Sequence, residues 1–173
     1  MSDPITAAPS DPSAARVVII AMTSVSVPAT TANVRYLLDQ GIRVTVVTAE
    51  PPSFADSGLD RRAEVVDLTA GEARHPVYRG SLLGRRLPGV AGKAVGKGYK
   101  VVRPAVLWRA ADDLVSRRVD LDAVSEVVLA DAHAVPLGWH LARRHPQLRV
   151  SFSLDRARYS GAGTDEVREA SEV

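Results

Sequence analysis

Six apolar residues in a row, Val17-Val18-Ile19-Ile20-Ala21-Met22, constrain this chain more than any other feature. A β-branched run without polar alternation marks a strand buried on both faces, the usual condition in a parallel sheet. The residues beyond it fit the same arrangement. Thr30 or Thr31 is placed to cap a helix running to Asp39, with Val34, Leu37 and Leu38 on one face and Gly41 as its stop. Ile42 to Thr48 is a second β-branched strand, closed by Pro51-Pro52. Strand, helix and strand within about thirty residues make a βαβ unit, whose crossover is right-handed as a rule.

The same rhythm returns further on. Ala63 to Leu68 reads as a short third strand, and Pro104 to Val119 as a helix with proline in its first turn. Val106, Leu107, Ala110, Leu114 and Val115 form the apolar stripe of that helix. Glu126 to Ala130 is a strand, Pro136 to His145 a helix, and Leu148 to Leu154 a last strand. The expected fold is a single α/β domain over residues 16–156, Rossmann-like and three-layered, with a parallel sheet of about five strands. Residues 1–15, with Pro4, Pro9 and Pro12, read as a disordered lead-in lacking the basic start and apolar stretch of a secretory signal. Residues 157–173 read as a Gly- and Glu-rich tail. No apolar run approaches the length that crosses a bilayer, so a cytoplasmic location is expected.

Composition narrows the chemistry. The chain has no cysteine, so thiolate metal sites and cysteine nucleophiles are excluded. Lys+Arg 22 against Asp+Glu 20, with only 5% aromatic residues, argues against a dedicated nucleic-acid binder. No glycine stands between Arg16 and Gly41. The first strand–helix turn therefore has neither a dinucleotide fingerprint nor a P-loop, and no cofactor is expected. His133 and His140 are seven residues apart with no carboxylate at ligand spacing, so no metal site is expected either.

In such a sheet ligands bind beyond the carboxyl ends of the strands, and that rule selects three loops. In the first, Ser24, Ser26 and Thr30 offer hydroxyls beside a helix N-terminus; they serve equally as loop and cap residues. In the second, Asp131 and His133 stand two residues apart, either as an acid–base or orienting pair or as a cap and an exposed histidine. In the third, Asp155 and Arg156 are either substrate contacts or a solvated surface pair. A further feature lies between Ala73 and Ala111, where no acidic residue occurs among Arg74, Arg79, Arg85, Arg86, Lys93, Lys97, Lys100, Arg103 and Arg109. Lys93, Lys97 and Lys100 share one helical face, with Leu87, Val90, Ala94, Val95 and Val101 roughly opposite. Such a segment suits an anionic membrane surface, while Gly92, Gly96 and Gly98 favour a mobile basic loop or plain connector.

These residues together resemble the amino-terminal half of GT-B-fold glycosyltransferases of the retaining, nucleotide-sugar-dependent type. The likeness rests on Val127-Val128-Leu129-Ala130-Asp131-Ala132-His133-Ala134-Val135-Pro136-Leu137-Gly138 with Leu141-Ala142-Arg143-Arg144, on Val150 to Arg156, and on Val17 to Thr48. It spans roughly Arg16 to Arg156. Departures are plain: Val25-Ser26-Val27-Pro28 replaces a commonly glycine-rich loop, and Asp155-Arg156 stands where an acidic–histidine signature is usual. The resemblance implies an acceptor-side domain whose nucleotide-sugar half lies outside these 173 residues, supplied by a partner or lost by truncation. It implies that Ser24, Ser26 and Thr30 orient acceptor hydroxyls, that Asp131 or His133 positions the attacking group, and that Asp155 and Arg156 line an interdomain cleft. Lys93, Lys97 and Lys100 would hold a membrane or a lipid-linked acceptor at the inner face of the membrane. The alternative is a non-catalytic Rossmann-like binding module.

Overall fold

The computed structural model describes residues 15–160, apart from Leu87 and the side chain of Asp113. Of the lead-in expected over residues 1–15 all but Ala15 lies outside the described residues, as do residues 161–173 of the tail expected from 157 and the place given to Leu87; Ala15 O accepts from the N–H of Arg43 at 3.2 Å beside β1. In chain order the elements are β1 (Arg16–Ile20), α1 (Val27–Asp39), β2 (Arg43–Thr48), α2 (Pro51–Ala55), β3 (Glu64–Asp67) and α3 (Thr69–Arg74). The chain continues through α4 (Pro76–Arg85), α5 (Val90–Arg118), β4 (Val124–Leu129), α6 (Val135–Arg144) and β5 (Arg149–Ser151). Short 3-10 turns at Ser24–Ser26, Leu121–Ala123, Ala132–Ala134 and Arg156–Tyr159 complete the trace.

All five strands are parallel, in the order β3-β2-β1-β4-β5. β1 is central, pairing Val17 with Val44 on one side and Val18 with Val127 on the other. Its unbroken apolar run now has a cause. Val17, Ile19 and Ala21 face a core with Val34 and Leu37 of α1, whereas Val18, Ile20 and Met22 face Leu107 and Val115 of α5 and Leu137 and Leu141 of α6. Both faces of the strand are sealed, so no position can be polar.

α1 starts three residues before the expected caps. Neither Thr30 nor Thr31 is its N-cap; the turn at Ser24–Ser26 leads directly into Val27, with Pro28 in the first helical turn, where its missing N–H costs nothing. The stop at Gly41 is as expected. Gly41 has φ 75°, its N–H donates to Leu38 O at 3.1 Å and the N–H of Ile42 donates to Leu37 O at 3.0 Å. That double bond pattern is a Schellman motif, and the residue in the left-handed position favours glycine.

The larger difference concerns α5. Pro104 does not open this helix but lies inside it, and the helix runs 29 residues from Val90. A mid-helix proline costs about 3 kcal/mol or more and removes one backbone bond. Tertiary contacts around it offset that cost. Val95 packs on Gly84 of α4, where an added Cβ would come within 2.7 Å of Val95 Cγ1. Tyr78 of α4 meets Tyr99 edge-on at 5.6 Å, and Tyr99 and Arg103 both bond Glu72 of α3. The basic segment is therefore helical rather than a loop. Its second half (Val106, Leu107, Ala111, Val115) covers the sheet, and its first half pairs with α4 in a projecting hairpin. Lys93, Lys97 and Lys100 are exposed on that hairpin, but the valines do not segregate from them as expected. Only Val95 turns inward, while Val90 and Val101 are more than 80% exposed beside the lysines (83% and 81%).

Candidate functional site

α1 leaves β1 toward one face of the sheet, and α6 leaves β4 toward the other. Because β1 and β4 are neighbours, their carboxyl ends form the topological switch point, where a doubly wound sheet opens a crevice. The two loops are fastened together by one side chain. Asp131 Oδ2 accepts from the backbone N–H of Thr23 at 2.9 Å, from Thr23 Oγ1 at 3.2 Å and from Ser26 Oγ at 3.4 Å. Its other oxygen accepts from the N–H groups of His133 at 2.9 Å and Ala134 at 3.2 Å, capping the turn that precedes α6. The carboxylate thus spends its acceptor capacity inside the protein.

His133 is the polar side chain this arrangement leaves in solvent, about half exposed (47%). Its Nδ1 lies 4.0 Å from Asp131 Oδ1, beyond hydrogen-bond length, so the two side chains form no catalytic dyad in this geometry. Ser24 is also exposed. Its N–H donates to Glu50 Oε2 at 2.8 Å, tying the β1 loop to the residue two positions beyond the end of β2.

Glu50 begins a second chain of contacts along the same edge. Its Oε1 is 3.5 Å from Arg103 Nη1, and Arg103 in turn donates to Glu72 through Nε at 2.8 Å and Nη2 at 3.2 Å. Tyr99 OH donates to Glu72 Oε1 at 2.6 Å. Burial alone would raise the Glu72 carboxyl, but the hydrogen bonds from Arg103 and Tyr99 and the guanidinium charge outweigh it and hold the group below its ordinary value. The Tyr99 phenol is pushed up, by burial first and then by its bond to Glu72. The hairpin of α4 and α5 is thereby anchored beside the switch point.

Of the remaining expected site residues, Ser26 reaches this edge only as a buried donor to Asp131, and Thr30, Asp155 and Arg156 do not join it. Ser26 and Thr30 are buried (5% and 1% exposed), Ser26 donating to Thr23 O at 2.9 Å, so neither hydroxyl can meet an acceptor. Local pattern puts Thr30 at a helix cap; the earlier start of α1 turns it into the core. Asp155 and Arg156 follow β5, but the chain folds back across the α1 face. Asp155 Oδ2 lies 3.8 Å from Arg149 Nη2, at the opposite end of β5, and Arg156 donates to Asn33 Oδ1 at 2.9 Å while lying over the ring of Tyr36. Behind them Tyr159 is buried, its OH donating to Glu126 Oε2 at 2.9 Å. The domain therefore extends past Arg156, and its last turn is a lid on the sheet rather than a cleft wall.

Sequence reasoning does not pick out Glu50, Glu72, Tyr99 and Arg103 as a group. Glu50 is reachable by the strand-end rule that selects the other loops. Glu72 and Arg103 are 31 residues apart on different helices, and no local spacing connects them. Among the described residues no three His, Asp or Glu side chains converge as metal ligands do. Compared with known proteins, the sequence matches no family model and no curated relative.

Proposed function

We propose that this domain is the acceptor-side half of a two-domain sugar transferase that receives its nucleotide-sugar half from a partner or from further chain. The observation that carries the reading is the switch point, where Asp131 locks the β1 and β4 loops together and leaves His133 and Ser24 facing outward. A carboxylate tied to five donors is a positioning residue. Ser24 then orients the acceptor and His133 receives the proton of its attacking hydroxyl, as the acceptor oxygen bonds the anomeric carbon and the nucleotide departs with the electron pair. The exposed lysines and valines of the α4–α5 hairpin hold the domain against an anionic membrane surface that carries a lipid-linked acceptor. The contact in this reading is peripheral, at the inner face; among the described residues no helix is long and apolar enough to cross a membrane.

The expected result is no sugar transfer by the purified chain alone, transfer when the second domain is added, and loss of that transfer in His133→Ala. Turnover by the chain alone that His133→Ala abolishes would overturn the partner-dependent reading. A non-catalytic binding module is favoured by one observation, the commitment of both Asp131 oxygens; absence of transfer with the second domain added would decide for it, whereas unchanged transfer in His133→Ala would remove His133 as the base. For the membrane contact, each lysine near an anionic surface contributes about 1 kcal/mol. Replacing Lys93, Lys97 and Lys100 by Gln should weaken binding to anionic vesicles about a hundredfold at low salt. Salt-insensitive or absent binding by the unmodified chain would leave the hairpin a connector.

A further inference from the structure

The chain has two tryptophans, and both line one cleft. It lies between α5 and α6, has a volume of about 360 Å³, and is walled by Trp108, Val135, Pro136, Trp139 and His140. Trp139 is 60% exposed, an unusual state for the largest apolar side chain in a protein so poor in aromatics. Val135 and Pro136 open α6 directly after the Asp131–Ala134 turn, so the cleft starts at the switch-point edge and runs away from it along the helix.

No Lys, Arg, Asp or Glu is among its lining residues; the nearby charges stand on side chains that touch its tryptophans and its histidine. Asp112 is engaged by Arg144 Nη1 at 3.2 Å and faces His140 Nε2 at 3.3 Å. Arg143 is exposed, one helical turn beyond Trp139, with its guanidinium 4.6 Å from that ring, and Arg109 lies 5.7 Å from the ring of Trp108. The cleft also adjoins the stretch from Ala73 to Ala111 that contains no acidic residue. The wall is not closed as a core would be. His140 Nε2 is out of line for a hydrogen bond to Asp112, and it and Asp112 Oδ1 are both buried without a hydrogen-bond partner.

We propose that the α5–α6 cleft binds an anionic amphiphile, its apolar chain or ring against Trp108 and Trp139 and its phosphate or carboxylate on Arg143. Size and lining fit ligand sites in general: a few hundred cubic ångströms, mostly apolar and aromatic, with few polar groups. The guanidinium offers paired donors to an oxyanion, which a neutral or cationic amphiphile cannot use. The proposal goes beyond the transferase reading and does not require it, since binding is measured without any transfer.

Because no tryptophan lies elsewhere, emission excited selectively at tryptophan, with the four tyrosines silent, reports on this cleft alone. Decyl phosphate and phenyl phosphate, the former below its micelle concentration, are titrated beside decyltrimethylammonium and decyl maltoside. Saturable change in emission with either phosphate, at least tenfold tighter than with the cationic and neutral probes, is the expected result; which phosphate binds tighter tells a chain from a ring. Arg143→Gln should weaken the phosphate about tenfold. Trp139→Ala should abolish binding and Trp139→Phe should keep most of it, which separates loss of the site from loss of the fold. Equal binding of all four probes, or none, would overturn the proposal. So would self-association by sedimentation that Trp139→Ala abolishes, because the occupant would then be a second copy of the chain.

Discussion

Replacing Asp131 separates two roles that a carboxylate at a strand end can have. In this structure it is a fastener. Asp131→Ala removes the cap of the Ala132–Ala134 turn, a loss of about 1 kcal/mol by analogy with helix N-caps. It also removes the acceptor of the Thr23 N–H, a bond to a charged group in a part-buried setting, which adds about 2 kcal/mol. The sum is about 3 kcal/mol, a sizeable part of the 5–15 kcal/mol typical of whole domains. For a chain of this length it corresponds to a fall in Tm of about 6–12 °C. Asp131→Asn keeps an oxygen for the cap but turns an amide N–H toward Thr23, and should lose about 2 kcal/mol. Urea unfolding followed by far-UV circular dichroism gives the midpoints, with the slope checking that the unfolded state is unchanged. A residue held for chemistry behaves otherwise, since its removal tends to leave stability unaltered or raised. Asp131→Ala within about 0.5 kcal/mol of the parent would refute the fastener reading.

Arg103→Met should destabilise by about 3 kcal/mol, because it leaves Glu72 buried and charged, and adding Glu72→Gln should restore most of the loss; additive losses in denaturant melts would show the pair to be uncoupled. Glu72 sits below its ordinary value, so its contribution is present above the usual carboxyl range near pH 4 and disappears as pH falls through its lowered value; acid titration of Glu72→Gln should lack that component. Burial, with the Glu126 carboxylate beside it, pushes the Tyr159 phenol up to about 12. Its contribution is full below the unfolded value of about 10 and is lost as pH rises through 12, so Tyr159→Phe should flatten the stability curve across that window. Gly138→Ala would bring a Cβ within 2.5 and 2.6 Å of the two Leu129 methyl carbons, and should cost about 1–3 kcal/mol, recovered in part by Leu129→Val; a neutral Gly138→Ala would mean that α6 stands off the sheet.

What the sequence determined was whatever neighbouring residues impose on one another. The unbroken run Val17 to Met22 demanded a strand sealed on both sides. Gly41 demanded the left-handed end of α1, and the spacing of the apolar runs demanded parallel strands joined by helices. The switch-point meeting of the Ser24 and Asp131 loops follows from that topology, because parallel neighbours end at the same edge. Only the tertiary structure decided the rest. Local rules start a helix at Pro104, yet Tyr99 and Arg103 gain a buried carboxylate and Val95 a glycine to pack on, so the helix reaches back to Val90. Local rules place Asp155 and Arg156 at the strand-end edge, yet β5 is only three residues long and the buried Tyr159–Glu126 bond draws the following turn back over α1. Thr30 has the chemistry of a cap, but Pro28 moves the start of its helix and leaves it in the core. The first two outcomes are set by partners on other elements, whose pairing energy exceeds local preference and leaves no periodicity in the sequence, and the third by where a neighbouring proline starts the helix.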